Sequence, residues 1–489
     1  MGMDYNPNRF QERSQASLVS AFWLGVGVFC ALFLYSLKAD RLLPQLFGFA
    51  LGLVALAPSY VWCRRSSDVI PIYPLYSLTY LWSFSLPVVH QGISFDAYTD
   101  ETQVLGCIYV ILHLVVGLGV YMWWTARPRP LPRMILGLQP TADGFYLGLM
   151  GLCIIMQLVA REHLLRNLLL TKLVYTIQSN LFIFALGILA YRLGKKELRD
   201  DHRFWFFSIA ALYFLIDASS LLLFSALRSI LFGTFMYVLA ARRISLVWLG
   251  TILLVAAILH QGKGPLRVQY WTSVFGVPLT SIPMLYVEWV TNGVTELVTL
   301  FERDDTGGRT LAERTSLMNA FLSMISQSPD PVPYCEGKTY WMVFEALLPR
   351  LLFPDKGSVQ ESMDYLAISY GFKSADAFDT TIGVGLLCES FANFGIMGVI
   401  GSAVVISFIC SWLMNYSTGA PVTSFRTLLG LTFISQIILL EHTASMVASA
   451  TVQGVLILCT VAIGLMQPIP SQSPVVTPPR RGHDPRRVS

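Results

Sequence analysis

The stretch Val104-Leu105-Gly106-Cys107-Ile108-Tyr109-Val110-Ile111-Leu112-His113-Leu114-Val115-Val116-Gly117-Leu118-Gly119-Val120-Tyr121-Met122-Trp123-Trp124 runs for 21 residues without an Asp, Glu, Lys or Arg. At 1.5 Å per residue, such a helix crosses the ~30 Å of hydrocarbon in a bilayer. Working outward, similar runs recur at Ser17–Tyr35, Leu42–Trp62, Ile72–Val89, Gly144–Val159, Leu173–Tyr191, Phe204–Ser219, Leu222–Ala240, Ile244–His260, Ile396–Tyr416, Leu428–Glu441 and Ser445–Met466. The composition agrees. Charged residues make up 13% of the chain and hydrophobic ones 54%, whereas a soluble protein carries about a quarter charged residues. So little polar surface cannot coat a water-soluble globule. The expected fold is an all-α polytopic membrane protein with about twelve transmembrane helices and one large external loop containing short interfacial helices.

Charge placement gives the expected orientation. Arg64 and Arg65, then Arg127, Arg129 and Arg133, then Arg192, Lys195, Lys196 and Arg199, then Arg242 and Arg243 fall in alternate connections. The positive-inside rule puts these in the cytoplasm with both termini. The polar start, residues 1–16, leads into an apolar run without a small-residue cleavage site, which reads as a first span rather than a signal peptide. Residues 17–260 then hold nine spans, 261–385 form the external loop, 386–466 hold three more spans, and 467–489 read as a disordered cytoplasmic tail. The net charge of +4 gives no reason to expect nucleic acid as a partner. Of the eight cysteines, only Cys335 lies in clearly polar sequence, and no pair has metal-ligand spacing. The expected cofactor and metal content is none.

The loop is far longer than any other connection, and loops of that length usually carry function or structure. Pro278 and Pro283 interrupt an apolar stretch running to Phe301, and Thr339 to Phe353 mixes aromatic and aliphatic residues. Both are expected to form helices along the membrane surface. Among the loop cations, Arg267, Arg309, Arg314, Arg350 and Lys356 are candidates to bind phosphate or pyrophosphate, arginine being favoured for its fork of donors. The plainer alternative is a solvated loop balanced by Glu302, Asp304, Asp305, Glu313, Asp355 and Glu361. Arg350 is wedged in Leu347-Leu348-Pro349-Arg350-Leu351-Leu352-Phe353, where a charge is costly unless it meets an anion.

Arg228 is expected roughly 20 Å above the cytoplasmic end of its span, a depth at which ionisable residues are functional candidates. A structural ion pair with Asp217 is the competing reading. In Gly385-Leu386-Leu387-Cys388-Glu389-Ser390-Phe391-Ala392-Asn393-Phe394-Gly395, Glu389 and Asn393 are four apart and share a helical face. Glu389, at the outer boundary, has the environment of a general base for a sugar hydroxyl. It is equally an interfacial carboxylate that pairs with a loop arginine. His260 and His442 fall at outer span ends and are candidates for proton transfer. No phosphate-binding glycine loop and no HExxH occurs.

From Tyr340 to Gly401 the chain resembles the bacterial oligosaccharide repeat-unit polymerases, the Wzy-type enzymes of O-antigen, capsule and exopolysaccharide synthesis. The likeness lies in Pro349-Arg350, Phe353-Pro354-Asp355-Lys356, Glu389 and Asn393-Phe394-Gly395, with Ala226-Leu227-Arg228 in place of an upstream Gly-Ser-Arg. Gly357 stands where the family usually has proline. The resemblance implies a glycosyltransferase in the bacterial inner membrane, using a glycan on undecaprenyl pyrophosphate as donor and a lipid-linked repeat unit as acceptor. It implies Glu389 and Arg350 as catalytic, and Arg228, Arg314, Lys356, Asn393, Arg309 and Arg267 as substrate-binding. Membrane lipid, a chain-length regulator and a flippase are the implied partners. An O-antigen ligase-like transferase, a lipid-sugar flippase or transporter, and a membrane scaffold or receptor are the competing classes. The halves of the chain do not match and the charges gather in one loop, which argues against a transporter.

Overall fold

Thr99 begins the decisive helix by accepting the Thr102 backbone N–H at 3.2 Å, with Asp100 and Glu101 in the first turn facing the positive end of the helix dipole. Helix α5, Asp100–Thr125, then runs unbroken. In the computed structural model the described residues are 7–64, 70–127, 132–139, 142–162, 168–221, 223–241, 245–270, 277, 279–302, 316–348, 352–353, 355–374 and 382–470. Before α5 come α1 (Pro7–Tyr35), α2 (Leu42–Arg64), α3 (Ile72–Tyr80) and α4 (Leu86–His90). After it come α6 (Asp143–Arg161), α7 (Leu168–Gly194), α8 (Asp200–Ala218), α9 (Leu223–Ala241), α10 (Leu246–Tyr270) and α11 (Ile282–Glu302). The last third holds α12 (Leu317–Gln327), α13 (Lys338–Leu347), α14 (Glu361–Ser369), α15 (Leu386–Ser417), α16 (Phe425–Ile437) and α17 (Ala444–Leu465).

Every apolar run read from the sequence lies on a helix. The run Ile72–Val89 is a broken one, with a π turn at Leu81–Ser85 between α3 and α4. Pro87 follows that turn and lacks the N–H that would continue the α ladder. Among the described residues, eight helices are long and apolar enough to cross a membrane: those containing α1, α2, α5, α6, α7, α10, α15 and α17. The chain is therefore an all-α, multi-pass membrane protein by helix length and composition.

Contacts at helix ends sort the connections into two sets. At one end, Arg41 pairs with Asp96 at 3.0 Å and Asp100 at 2.8 Å, and Asn319 donates to Ser94. At the other, Arg192 pairs with Asp143 at 2.6 Å, and Asn415 donates to the Trp124 carbonyl. A two-stranded antiparallel ribbon joins β1 (Met134–Leu138) to β2 (Met466–Pro470) at this second end. These are the same two groups of connections that Lys and Arg separate in the sequence. The ribbon also corrects the expected tail, since residues 467–470 are paired strand; residues 471–489 lie outside the described residues.

A second correction concerns the loop. The apolar stretch ending at Phe301 was expected as a surface helix, but α11 is 21 residues long and packs antiparallel along α10. Gly262 and Gly293 permit this: a Cβ on Gly293 would collide with the Ile258 carbonyl, and one on Gly262 with the Trp289 carbonyl. Trp289 sits fully buried between them and donates its indole N–H to the Leu259 carbonyl at 2.6 Å. Met284, Val287, Val290, Val294 and Val298 form an exposed apolar stripe on the opposite side of α11.

The interior is centred where α5 meets α15 and α3. His113 donates from Nδ1 to the Val399 carbonyl at 3.1 Å, which leaves Nε2 to accept from one of Tyr76 (3.0 Å) and Tyr80 (3.2 Å), while the two hydroxyls share the other proton between them at 2.5 Å. This buried polar knot is satisfied from within, as a protein interior in hydrocarbon requires.

Candidate functional site

The segment that carried the sequence resemblance is a joint. Gly385 opens α15 at φ +84°, and a Cβ there would strike the Leu440 carbonyl. Nine residues later the helix breaks at Phe394 and Gly395, the latter at φ +57°, ψ −139°, a conformation only glycine adopts at low cost. The break frees the carbonyls of Ala392 and Asn393, and the backbone N–H groups of Cys335 (2.9 Å) and Glu336 (3.1 Å) take them up. Asn393 completes the joint. Its Oδ1 accepts from Gly337 N at 3.0 Å, and its Nδ2 donates to Thr339 and to the Glu389 carbonyl, both at 2.7 Å. Asn393 is fully buried and its side-chain groups are hydrogen-bonded within the protein, so it fixes α13 to α15.

Glu389 is also fully buried. Its Oε2 accepts from the Ala444 backbone N–H at 2.6 Å, capping the first turn of α17, and it accepts from the Thr339 hydroxyl. Its other oxygen, Oε1, has no partner. Around it, the hydroxyls of Thr443, Ser362 and Ser445 bond to one another, and Ser445 donates to the Val359 carbonyl. Glu389 and Asn393 thus do come together on one face, linked through Thr339. What they hold is the start of α17 and α13. No loop arginine pairs with Glu389 among the described residues.

The other expected cations separate. Lys356 donates to the carbonyls of Ala346 (2.6 Å) and Leu348, placing its charge at the C-terminal end of α13, where the helix dipole favours a cation. Arg267 donates to the Leu221 carbonyl at 3.0 Å and ties α10 to the turn after α8. Arg350, Arg314 and Arg309 lie outside the described residues.

Arg228 is different. It is half-buried on α9, its Nε has no partner, and it forms no ion pair with Asp217. Asp217 instead accepts from Gln157 and Tyr175, each at 3.1 Å. Near Asp217 lies a buried cation that the sequence reading passed over. Arg161 donates to the carbonyls of Val277 (2.9 Å from Nε) and Ile216 (3.0 Å) and to Ser219 Oγ (2.6 Å). Its place at a span end, among other basic connection residues, gave no sign of this.

The charge of Arg228 is felt in the turn between α16 and α17. There His442 has its pKa lowered to about 4, by burial first and by the Arg228 charge second. It is therefore a neutral imidazole at pH 7, and its Nδ1 has no partner. Beside it, Glu441 is accessible to solvent yet walled by protein, so desolvation raises its pKa while the Lys263 charge opposes the rise. The Glu441 carbonyl accepts from Gly385 N at 3.2 Å, joining this turn to the Glu389 segment.

The turn thus holds a carboxylate with a raised pKa and a neutral imidazole, each under the charge of a cation on another helix, and behind them a buried carboxylate accepts from the backbone at Ala444. Among the described residues, no three His, Cys, Asp or Glu side chains converge as a metal-binding set. Compared with protein-family models, with curated proteins and with solved structures, the chain matches none.

Proposed function

We propose that this protein joins lipid-linked sugar units at the outer face of a bacterial inner membrane, with both termini in the cytoplasm. The observation that carries the reading is Arg228, a guanidinium with an unpartnered Nε on an apolar helix, whose charge reaches His442 in the turn that also holds Glu441. A charge at such a depth is expensive to keep unless an anion meets it. A pyrophosphate at the headgroup level is such an anion, and arginine suits it. The resemblance around Pro349-Arg350 and Asn393-Phe394-Gly395 supports the same substrate class.

In the proposed reaction, a hydroxyl of the acceptor's terminal sugar attacks the anomeric carbon of a glycan held on undecaprenyl pyrophosphate. The new glycosidic C–O bond forms as the bond to pyrophosphate breaks, and undecaprenyl pyrophosphate leaves with the bonding pair. Arg228 and Lys263 offset the charge that develops on the leaving group. Glu441, accessible and with its pKa raised by desolvation, takes the hydroxyl proton. Glu389 accepts from the Ala444 backbone N–H and so keeps the Glu441–Ala444 turn in place, and its unpartnered Oε1 leaves it a second candidate for the base.

The experiment is incubation of purified protein with a lipid-linked repeat unit and no nucleotide. A ladder of longer glycans is expected from the wild type. Arg228→Ala should reduce its rate by about 100-fold or more at normal membrane expression, with partial recovery in Arg228→Lys. A single addition to a different acceptor lipid would point to a ligase. An Arg228→Ala ladder matching the wild type would remove the proposal.

A further inference from the structure

Oxygen atoms from four helices meet at the start of α17. Thr339 comes from α13, Ser362 from α14 and Glu389 from α15, while Thr443 and Ser445 flank the Ala444 N–H that Glu389 caps. All five side chains are buried. The Ser362 hydroxyl lies 2.8 Å from that of Thr443 and 2.6 Å from that of Ser445, and the latter two are 3.2 Å apart. Ser445 donates to the Val359 carbonyl at 3.1 Å. Three hydroxyl hydrogens thus serve four oxygen–oxygen contacts. With the Ser445 hydrogen on Val359, two remain for the three sides of the triangle, and none is spare for Glu389. The shell is rich in lone pairs and short of positive charge.

Glu389 adds a formal negative charge to that shell. Its Oε2 is held at 2.6 Å by the Ala444 N–H, which places the carboxylate between Thr443 and Ser445, and its Oε1 is buried without a partner. Among the described residues no cationic side chain meets it. Lys338 sits over the Tyr365 ring at 4.2 Å, and Lys373 pairs with Asp364 at 2.8 Å. The partial positive charge at the α17 N-terminus is already engaged by Oε2. A bare carboxylate oxygen at the head of a membrane span is costly to bury unless positive charge reaches it.

We propose that this shell binds one sodium ion, held by Glu389 Oε1 and the hydroxyl oxygens of Ser362, Thr443 and Ser445. Hard cations take oxygen ligands, and a single carboxylate among neutral oxygens balances a single charge, whereas calcium sites draw on several carboxylates. Hydroxyls only 2.6–3.2 Å apart close around a small ion, which favours sodium over potassium. The set contains no His or Cys and one acidic residue, so ligand spacing in the sequence gives no sign of it. The ion would pin α13, α14 and α17 to α15 just ahead of the break at Phe394 and Gly395; in membrane proteins, interrupted helices are where such ions are coordinated. With Oε1 on a cation, the base role in the proposed reaction falls to Glu441 alone. The sodium site itself stands independently of that reaction.

The test uses the full chain, purified in choline chloride and placed in lipid nanodiscs. Radioactive sodium is expected to bind saturably, one ion per chain. At constant ionic strength, replacing choline by sodium should raise the thermal unfolding midpoint, while potassium leaves it near the choline value. Ser362→Ala removes one ligand and should weaken sodium binding about tenfold or more, and Glu389→Gln should abolish it. If Glu389→Gln does not accumulate, Ser362→Ala and Ser445→Ala decide. An absence of saturable sodium binding overturns the proposal and leaves a proton on Glu389 to fill the place. Equal stabilisation by sodium and potassium also overturns it. Unchanged sodium affinity in both Ser362→Ala and Ser445→Ala puts the ion elsewhere and overturns it as well. A chain that binds sodium in this way but builds no glycan ladder keeps the site and loses the proposed function.

Discussion

His442 and Glu441 are neighbours whose ionisation acts on stability in opposite directions. The folded pKa of His442 is about 4, below its ordinary value of 6.5, because burial and the Arg228 charge both disfavour the imidazolium. Above pH 6.5 both folded and unfolded chains hold it neutral, and it contributes nothing to the pH dependence. As pH falls from 6.5 to 4 the unfolded chain takes up a proton that the folded chain refuses, so stability declines, and below about 4 the loss is complete. The full loss is at most about 3.5 kcal/mol. Glu441 has a raised folded pKa, so its contribution is fully present below its ordinary value of 4.5 and is lost as pH rises through the folded value. Thermal unfolding in detergent should show the wild type losing more stability between pH 7 and pH 5 than His442→Gln does. Parallel curves for the two proteins would mean that His442 is not held neutral by its surroundings. Much of this residue-scale detail was beyond reach of the sequence. Glu389 and Asn393 were legible as one helical face because their spacing is local. Their role as a joint depends on Gly337, Thr339 and Ala444, which are brought in from more than 50 positions away. Arg228 was legible as an ionisable residue inside an apolar run, whereas the absence of its expected pair with Asp217 depends on Gln157 and Tyr175, which claim that carboxylate first.

Helices were the most legible level. A run of about 20 apolar residues has one low-energy answer in hydrocarbon, so the expected spans are helical, including the two packed between Phe204 and Ala240, with Ile72–Val89 broken at a π turn and the helix of Leu428–Glu441 ending at Ile437. Amphipathic segments do not carry that guarantee. The residues of α11 read as a surface helix because Pro278 and Pro283 interrupt the apolar stretch and the stretch falls within the large loop. The packing partner of such a helix is decided by shape, here the two glycines that let α10 and α11 approach backbone to backbone. Substituting either glycine should therefore act on the pair as a unit. Gly293→Ala places a methyl group against the Ile258 carbonyl, a backbone atom that cannot turn aside, and should destabilise the hairpin by about 1–3 kcal/mol. Gly250→Ala, on α10 where nothing lies within 4 Å, serves as the comparison and should cost nothing measurable. A lower thermal midpoint and faster proteolysis near residues 303–315 in Gly293→Ala alone is the expected pattern. Equal behaviour of the two variants would show that the close approach does not hold α11 in place.

At the scale of the whole molecule, the two ends of the bundle were separated by two independent kinds of information. One is the distribution of Lys and Arg along the chain. The other is contact: Arg41 with Asp96 and Asp100 at one end, Arg192 with Asp143 and β1 with β2 at the other. The two agree because charge asymmetry governs which way each hairpin inserts, and the inserted hairpins then pack by their connections. Contact alone does not say which end faces the cytoplasm; in the proposed orientation, which follows the basic excess, the Glu441–His442 turn lies outside. That placement is decisive for the proposed chemistry, since a site on the cytoplasmic end would meet nucleotide sugars instead of glycans already carried across on a lipid. Single cysteines in a chain freed of its own cysteines separate the cases. Glu336→Cys and Asp96→Cys, both exposed, should react with a membrane-impermeant maleimide added to the outer face of sealed spheroplasts. Arg127→Cys and Gln467→Cys should react only once the membrane is permeabilised. Labelling of all four from outside would break the two-ended arrangement, and labelling of the second pair alone would invert it, moving Arg228, Lys263 and Glu441 to the compartment where their proposed substrate is absent.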